Sequence, residues 1–158
     1  MPTYRRTSLL ETDFETVWTF YDDVDELELL TPEWIGLRVT RAVGPDGRPD
    51  PDGYEVGTRV HLEMCPFGLF TTDEWVVEIT DRHVDEDGAT FVDEQVGDRG
   101  PYEEWRHVHR FVDLGDETVL SDEVNYRVPG AGDLPLATPF LAAILWYRHR
   151  QTRELLVN

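Results

Sequence analysis

The sequence predicts an α+β domain with an antiparallel sheet of six to seven strands, two short helices after the first strand and one long helix near the C-terminal end. Three observations predict it. Between Gly100 and Val128, two runs alternating at period two are joined by Asp113-Leu114-Gly115-Asp116-Glu117, turn chemistry suited to an antiparallel hairpin. Upstream, short alternating runs recur between clusters of Gly, Pro and Asp. Downstream, from about Ala137 to Leu156, Phe140, Ile144, Tyr147 and Gln151 fall on one helical line and Leu141, Leu145, Arg148 and Thr152 on the next.

The elements follow in order. Thr3 to Leu10 alternates weakly and reads as the first strand. Thr12-Asp13-Phe14-Glu15 supplies a capping oxygen and an acidic first turn for a helix that buries Phe14, Val17, Trp18 and Tyr21. A second short helix, Val24 to Leu30, is stopped by Thr31-Pro32. Strands are expected at Gly36 to Val43, Thr58 to Met64, Leu69 to Thr80 and Ala89 to Val96, with the polar, rigid loop Gly44 to Gly53 exposed between the first two. Met64-Cys65-Pro66-Phe67-Gly68-Leu69-Phe70 is apolar for a turn, and suits either a fold back onto the core or a lip over a cavity. Pro129 to Gly132 ends the sheet, and Asp133 is placed to cap the long helix.

The hairpin carries the chemistry. Trp105, His107, His109 and Phe111 share one face of its first strand; Leu120, Asp122, Val124 and Tyr126 share one face of its second. If these faces point inward, the interior holds two histidines, a carboxylate and a phenol. Each buried polar atom left unpaired costs roughly 1 to 3 kcal/mol, so such a face calls for an internal network, water or a ligand. Asp122 in particular needs His107, His109 or Arg148 as a partner. Trp18, Trp75, Trp105 and Trp146 read as core or wall.

Composition bounds the partners. At 158 residues the chain is one domain's worth, and 33 acidic residues against 14 basic ones leave a net charge of -19. Every basic residue is Arg. That acidic, lysine-free composition resembles the cytoplasmic proteins of salt-accumulating halophiles, whose self-repulsion molar salt screens. Nucleic acid and anionic membranes are poor partners for this field. Cys65 is alone, which excludes an intrachain disulfide and fits a reducing compartment. No signal-peptide core is visible, and the apolar stretch Leu134 to Tyr147 falls short of the ~20 residues of a membrane span. The expectation is a soluble cytoplasmic protein.

Several motifs together resemble one superfamily. They are F-x-D-x-Q from Phe91 to Gln95, G-P-Y at Gly100, W-x-H-x-H-x-F from Trp105, T-x-L-x-D-x-V-x-Y from Thr118, and Tyr147-Arg148. With the element order, they look like the SRPBCC superfamily of START-like and polyketide cyclase/dehydrase-like proteins, over nearly the whole chain apart from the Gly44 to Gly53 loop. The resemblance implies a helix-grip fold, in which a curved sheet wraps the long helix around an elongated cavity. On that geometry Trp75, Phe91, Trp105, His107, His109, Phe111, Asp122, Val124 and Tyr126 wall the cavity from the sheet. Phe140, Ile144, Tyr147 and Arg148 close it from the helix.

Function is read from those residues. The leading expectation is a binding module for a hydrophobic or amphipathic small molecule. The alternatives are a cyclase/dehydratase with His107 or His109 as acid/base, or a homodimeric interaction module whose cavity is filled by its own side chains. No cofactor is expected, since no phosphate loop or nucleophile motif is present. Nor is a metal site, because Asp122 is the only obvious third ligand beside the two histidines.

Overall fold

The turn signals divide the chain almost one for one into the observed strands. In the computed structural model, which describes residues 1–157, these are β1 (Thr3–Leu10), β2 (Arg38–Val43), β3 (Arg59–Glu63), β4 (Trp75–Asp85), β5 (Gly88–Gln95), β6 (Glu104–Asp113) and β7 (Thr118–Arg127). The helices are α1 (Phe14–Tyr21), α2 (Glu26–Leu29) and α3 (Thr138–Leu156). The strands form one antiparallel, curved sheet in the order β1-β7-β6-β5-β4-β3-β2. Five consecutive hairpins build β2 through β7, and β1 joins at the far side by pairing with β7.

Local chemistry sets the helices. Asp13 caps α1 by accepting the Thr16 backbone N–H at 3.3 Å and its hydroxyl at 2.7 Å, a cap worth about 1 kcal/mol. The apolar face of α1 then buries Phe14, Val17, Trp18 and Tyr21, with Trp18 edge-on to Phe111 at 5.4 Å. In α3 the buried line is Leu141, Leu145, Arg148, His149 and Thr152. The two helices meet where the Tyr21 and Thr152 hydroxyls hydrogen-bond at 2.6 Å.

Four expectations shift. The strand expected from Leu69 starts at Trp75, because the Met64 and Thr72 main chains are tied by Thr72 N–H to Met64 O at 2.8 Å, which closes residues 65–71 into a loop. The same strand runs on to Asp85 through a register shift between Ile79 and Asp81. The second helix is only Glu26–Leu29. Asp133 does not cap α3: it takes Arg127 at 3.3 Å and the chain's amino terminus at 3.1 Å, and α3 starts instead with Pro139 in its first turn.

The apolar turn projects outward. Phe67, Leu69 and Phe70 are exposed, and Phe67 stacks on Trp34 at 5.5 Å. Gly36, at φ +64°, lets the turn approach closely: the Cys65 N–H reaches the Gly36 carbonyl at 3.1 Å, and a Cβ on Gly36 would collide with the Cys65 carbonyl.

Candidate functional site

Between the concave face of the sheet and α3 lies a cavity of about 240 Å³. Its walls are largely apolar, with Leu62, Val77, Ile79 and Val124 from the sheet and Leu141 and Leu145 from the helix. Its lining includes the exposed residues Pro101 and Phe140, which places a mouth there beside Trp34, whose ring meets Phe140 edge-on at 6.0 Å. Trp75, Tyr102 and Trp105 form an aromatic cluster on one side, Trp75 and Trp105 being 5.0 Å apart.

Polar groups of the lining gather on β5 and β6. Strand alternation puts His107 and His109 on the inner face of β6, where their rings stack at 3.7 Å; Phe91 from β5 stacks on the other side of His109 at 4.0 Å. Two carboxylates hold this stack from opposite sides. Asp122 of β7, fully buried, accepts from His107 Nε2 at 2.7 Å and from His149 Nε2 at 2.6 Å, and Ser8 Oγ lies 2.7 Å from His149 Nδ1. His109 Nδ1 is 3.2 Å from the same Asp122 oxygen as His107, but off the line of a hydrogen bond. Asp93 of β5 accepts from Trp105 Nε1 at 2.9 Å and from His109 Nε2 at 2.8 Å. His107 Nδ1 lies 3.8 Å from Asp93, beyond hydrogen-bond reach.

Charge follows from this arrangement. Burial alone would raise the Asp122 carboxyl, but hydrogen bonds from the surrounding imidazoles hold it well below the usual carboxylate range. Burial is likewise outweighed at Asp93, which the two histidines and Trp105 keep low. His109 would be lowered by burial, yet the carboxylates on either side push it up to about 9. Burial and the neighbouring His109 charge lower His107. The two rings are therefore pushed in opposite directions, His109 toward the imidazolium and His107 toward the neutral form.

A second buried pair sits on the cavity wall. Glu26 of α2 and Arg148 of α3 approach to 3.3 Å, and Arg148 Nε has no hydrogen-bond partner among the described residues. Burial outweighs the guanidinium and raises Glu26 to about 7.

The cavity draws nine of the residues named from sequence: Trp75, Phe91, Trp105, His107, His109 and Val124 from the sheet, and Phe140, Ile144 and Arg148 from α3. Phe111, Asp122, Tyr126 and Tyr147 stay outside it. Phe111 packs under α1 against Trp18 and Tyr21, Asp122 is enclosed by its three histidines, and the Tyr126 hydroxyl is spent on Thr138 at 2.5 Å. Tyr147 lies on the flank of α3, off its buried line. Trp146, expected in core or wall, is exposed under the Arg150 guanidinium at 5.3 Å. Asp93, Glu26, Tyr54 and Tyr102 are lining residues that the sequence reading did not select. Asp93 was nonetheless accessible to it, since it shares the Phe91 face of its strand.

No protein-family model matches the chain, and no curated protein matches it. Solved structures do. A START superfamily protein from Mycobacterium smegmatis superposes with a TM-score of 0.66 at 15% identity, covering 98% of this chain and 96% of that one. Norcoclaurine synthase from Thalictrum flavum gives 0.66 at 16%, over 99% and 87%. A nucleoside-diphosphate sugar epimerase from Corynebacterium glutamicum gives 0.62 at 20%; it covers 96% of this chain, which spans only 28% of that protein's length. The shared property is the fold. The chain has the helix-grip fold of these structures, one of which is a synthase. No helix among the described residues is long and apolar enough to cross a membrane.

Proposed function

We propose that the protein binds a small, largely apolar molecule with one polar end, seated between the sheet and α3. The observation that carries this reading is the contrast within one cavity: a lining that is mostly aliphatic and aromatic, into which Asp93, His107, His109, Glu26 and Arg148 bring a few buried polar groups. Burying about 300 Å² of ligand at ~25 cal/mol/Å² offers roughly 7 kcal/mol, from which association costs of at least ~4 are subtracted. Apolar contact alone binds weakly, so the polar end supplies affinity as well as orientation. Mass spectrometry of an organic extract from protein purified in molar salt, against a mock purification, tests the reading. One enriched compound near one per chain supports it. A clean extract, together with no change in Trp75 and Trp105 fluorescence across a panel of apolar acids, alcohols and amines, would sink it.

Catalysis is the second reading, and one observation favours it. Burial and His109 push His107 toward the neutral form; it is anchored through Nε2 to Asp122 and keeps Nδ1 free of hydrogen bonds from the described residues, as a general base requires. The Thalictrum flavum synthase of the same fold has been seen with dopamine and hydroxybenzaldehyde bound. Turnover of a cyclisable aromatic substrate, lost in His107→Phe while the fold persists, distinguishes an enzyme from a carrier.

A further inference from the structure

We infer that Asp93, His107 and His109 form a binding site for one divalent first-row transition-metal ion on the wall of the cavity, with Asp122 orienting the His107 imidazole from behind. The donors are two imidazole nitrogens and one carboxylate oxygen, all within 4.8 Å of one another. Such a set suits zinc, cobalt or iron(II); magnesium and calcium favour all-oxygen sites.

The placement of the donors carries the inference. His107 and His109, two apart on β6, share a face, and β5 sets Asp93 directly opposite His107 in the ladder. Asp122 takes Nε2 of His107, so Nδ1 is the ring nitrogen that faces Asp93 Oδ2, at 3.8 Å. A cation between these two atoms would meet both. His109 Nε2 points at the same Asp93 oxygen from 2.8 Å, so three ligand atoms converge on one place. Metal bonds of about 2.0 to 2.2 Å set neighbouring donors roughly 3 to 3.5 Å apart, and the observed 2.8 and 3.8 Å bracket that range. Side-chain adjustments under about 1 Å close the set, and the His109 Nε2 proton passes to solvent as the metal takes its position.

The surroundings fit as well. Asp122 on the back nitrogen of His107 is the outer carboxylate that commonly fixes a metal-bound histidine. Trp105 Nε1–H occupies Asp93 Oδ1 and leaves Oδ2 for the ion. A purely structural network explains Asp122, which three histidines enclose, but it leaves Asp93 Oδ2 and His107 Nδ1 facing each other at 3.8 Å without a hydrogen bond between them. The sequence reading set a metal aside because it saw Asp122 as the third ligand. The fold instead puts Asp122 behind the rings and Asp93 in front. Since Asp93, His107 and His109 all line the cavity, the remaining coordination positions open to water or to a bound molecule.

The test uses the full chain, purified in molar salt, stripped with chelator and solvent-extracted. Titration with Co²⁺ followed by calorimetry and visible absorption should give one ion per chain with d–d bands that Zn²⁺ abolishes, while Mg²⁺ gives neither heat nor displacement. Bound Co²⁺ should broaden the ring NMR signals of His107 and His109 and spare those of His83. Asp93→Asn should weaken Co²⁺ binding at least about tenfold, and His83→Ala, which removes the exposed His83–Asp85 pair, should leave it unchanged. Co²⁺ binding no stronger than Mg²⁺ binding, or broadening centred on His83, overturns the proposal. So does unchanged affinity in a folded Asp93→Asn. The NMR measurement is made on the unaltered chain, so a variant that fails to fold leaves the test intact. It is also independent of the organic ligand: an empty extract counts against the carrier reading and leaves the metal titration standing.

Discussion

Asp122 in β7 and His149 in α3 are joined by a 2.6 Å hydrogen bond, made where neither side chain has appreciable contact with solvent. It ties the long helix to the strand whose other neighbours, His107 and His109, sit beside the cavity. The carboxylate serves structure and site together, because the hydrogen bond that holds the helix also fixes the rings. Asp122→Asn keeps the shape but withdraws the charge from three imidazoles, and breaking a buried pair in this way costs about 3 to 5 kcal/mol. Urea melts in molar salt should show that loss. A change below about 1 kcal/mol would mean that the histidines find other partners.

The aromatic wall makes a prediction about affinity. Trp105 contacts Trp75 and Tyr102, hydrogen-bonds Asp93 and lines the cavity, whereas its neighbour Glu104 points out of the sheet to Arg127 at 2.7 Å. Trp105→Ala should weaken binding of any extracted compound at least about tenfold, the scale of a buried aromatic contact, and Glu104→Ala should leave it unchanged. Equal effects in a fluorescence or calorimetric titration would remove the ligand from this cavity.

Period-two alternation was enough to place the inner face of the β6–β7 hairpin, because one strand face is buried and a one-residue slip would invert it. It gives the face and not the position along the strand. Phe111 and Tyr126 do point inward, but α1 covers one and the Thr138 end of α3 takes the other, so neither reaches the cavity. His149 is one residue beyond Arg148, a 100° step that moves it from the cavity side to Asp122. Glu26 was beyond reach for a different reason. A four-residue helix has too few turns to show a buried face, and a glutamate there reads as solvent-exposed unless Arg148, 122 residues later, is known to meet it.

Two glycines at hairpin turns separate backbone strain from collision. Gly88 has φ +144° and Gly115 has φ +92°, so alanine is strained at both. A Cβ on Gly115 meets open space, and Gly115→Ala should cost about 1 to 2 kcal/mol. At Gly88 the added carbon would run into the Phe111 carbonyl across the β5–β6 ladder, where Gly88 pairs with Val112. Thermal melts should therefore rank Gly88→Ala well below Gly115→Ala. The reverse order would mean that the β5 end is free to move aside.

Glu26 makes stability depend on pH. Its carboxyl titrates at about 7 in the folded chain and near 4.5 when unfolded, because burial penalises the charge more than Arg148 rewards it. Between those values the folded state binds the extra proton. Stability from this group is thus complete below about pH 4.5 and is lost as pH rises through 7. At 1.36 kcal/mol per unit the loss approaches about 3 kcal/mol. Glu26→Gln, which cannot ionise, should match the wild type near pH 4 and gain on it by up to about that amount near pH 8. The comparison between the two chains cancels the other titrating groups, including the histidine stack, provided both are melted in the same salt. If the variant instead falls behind as pH rises, Arg148 holds Glu26 ionised, and the pair at the cavity wall is a salt bridge that carries charge at neutral pH.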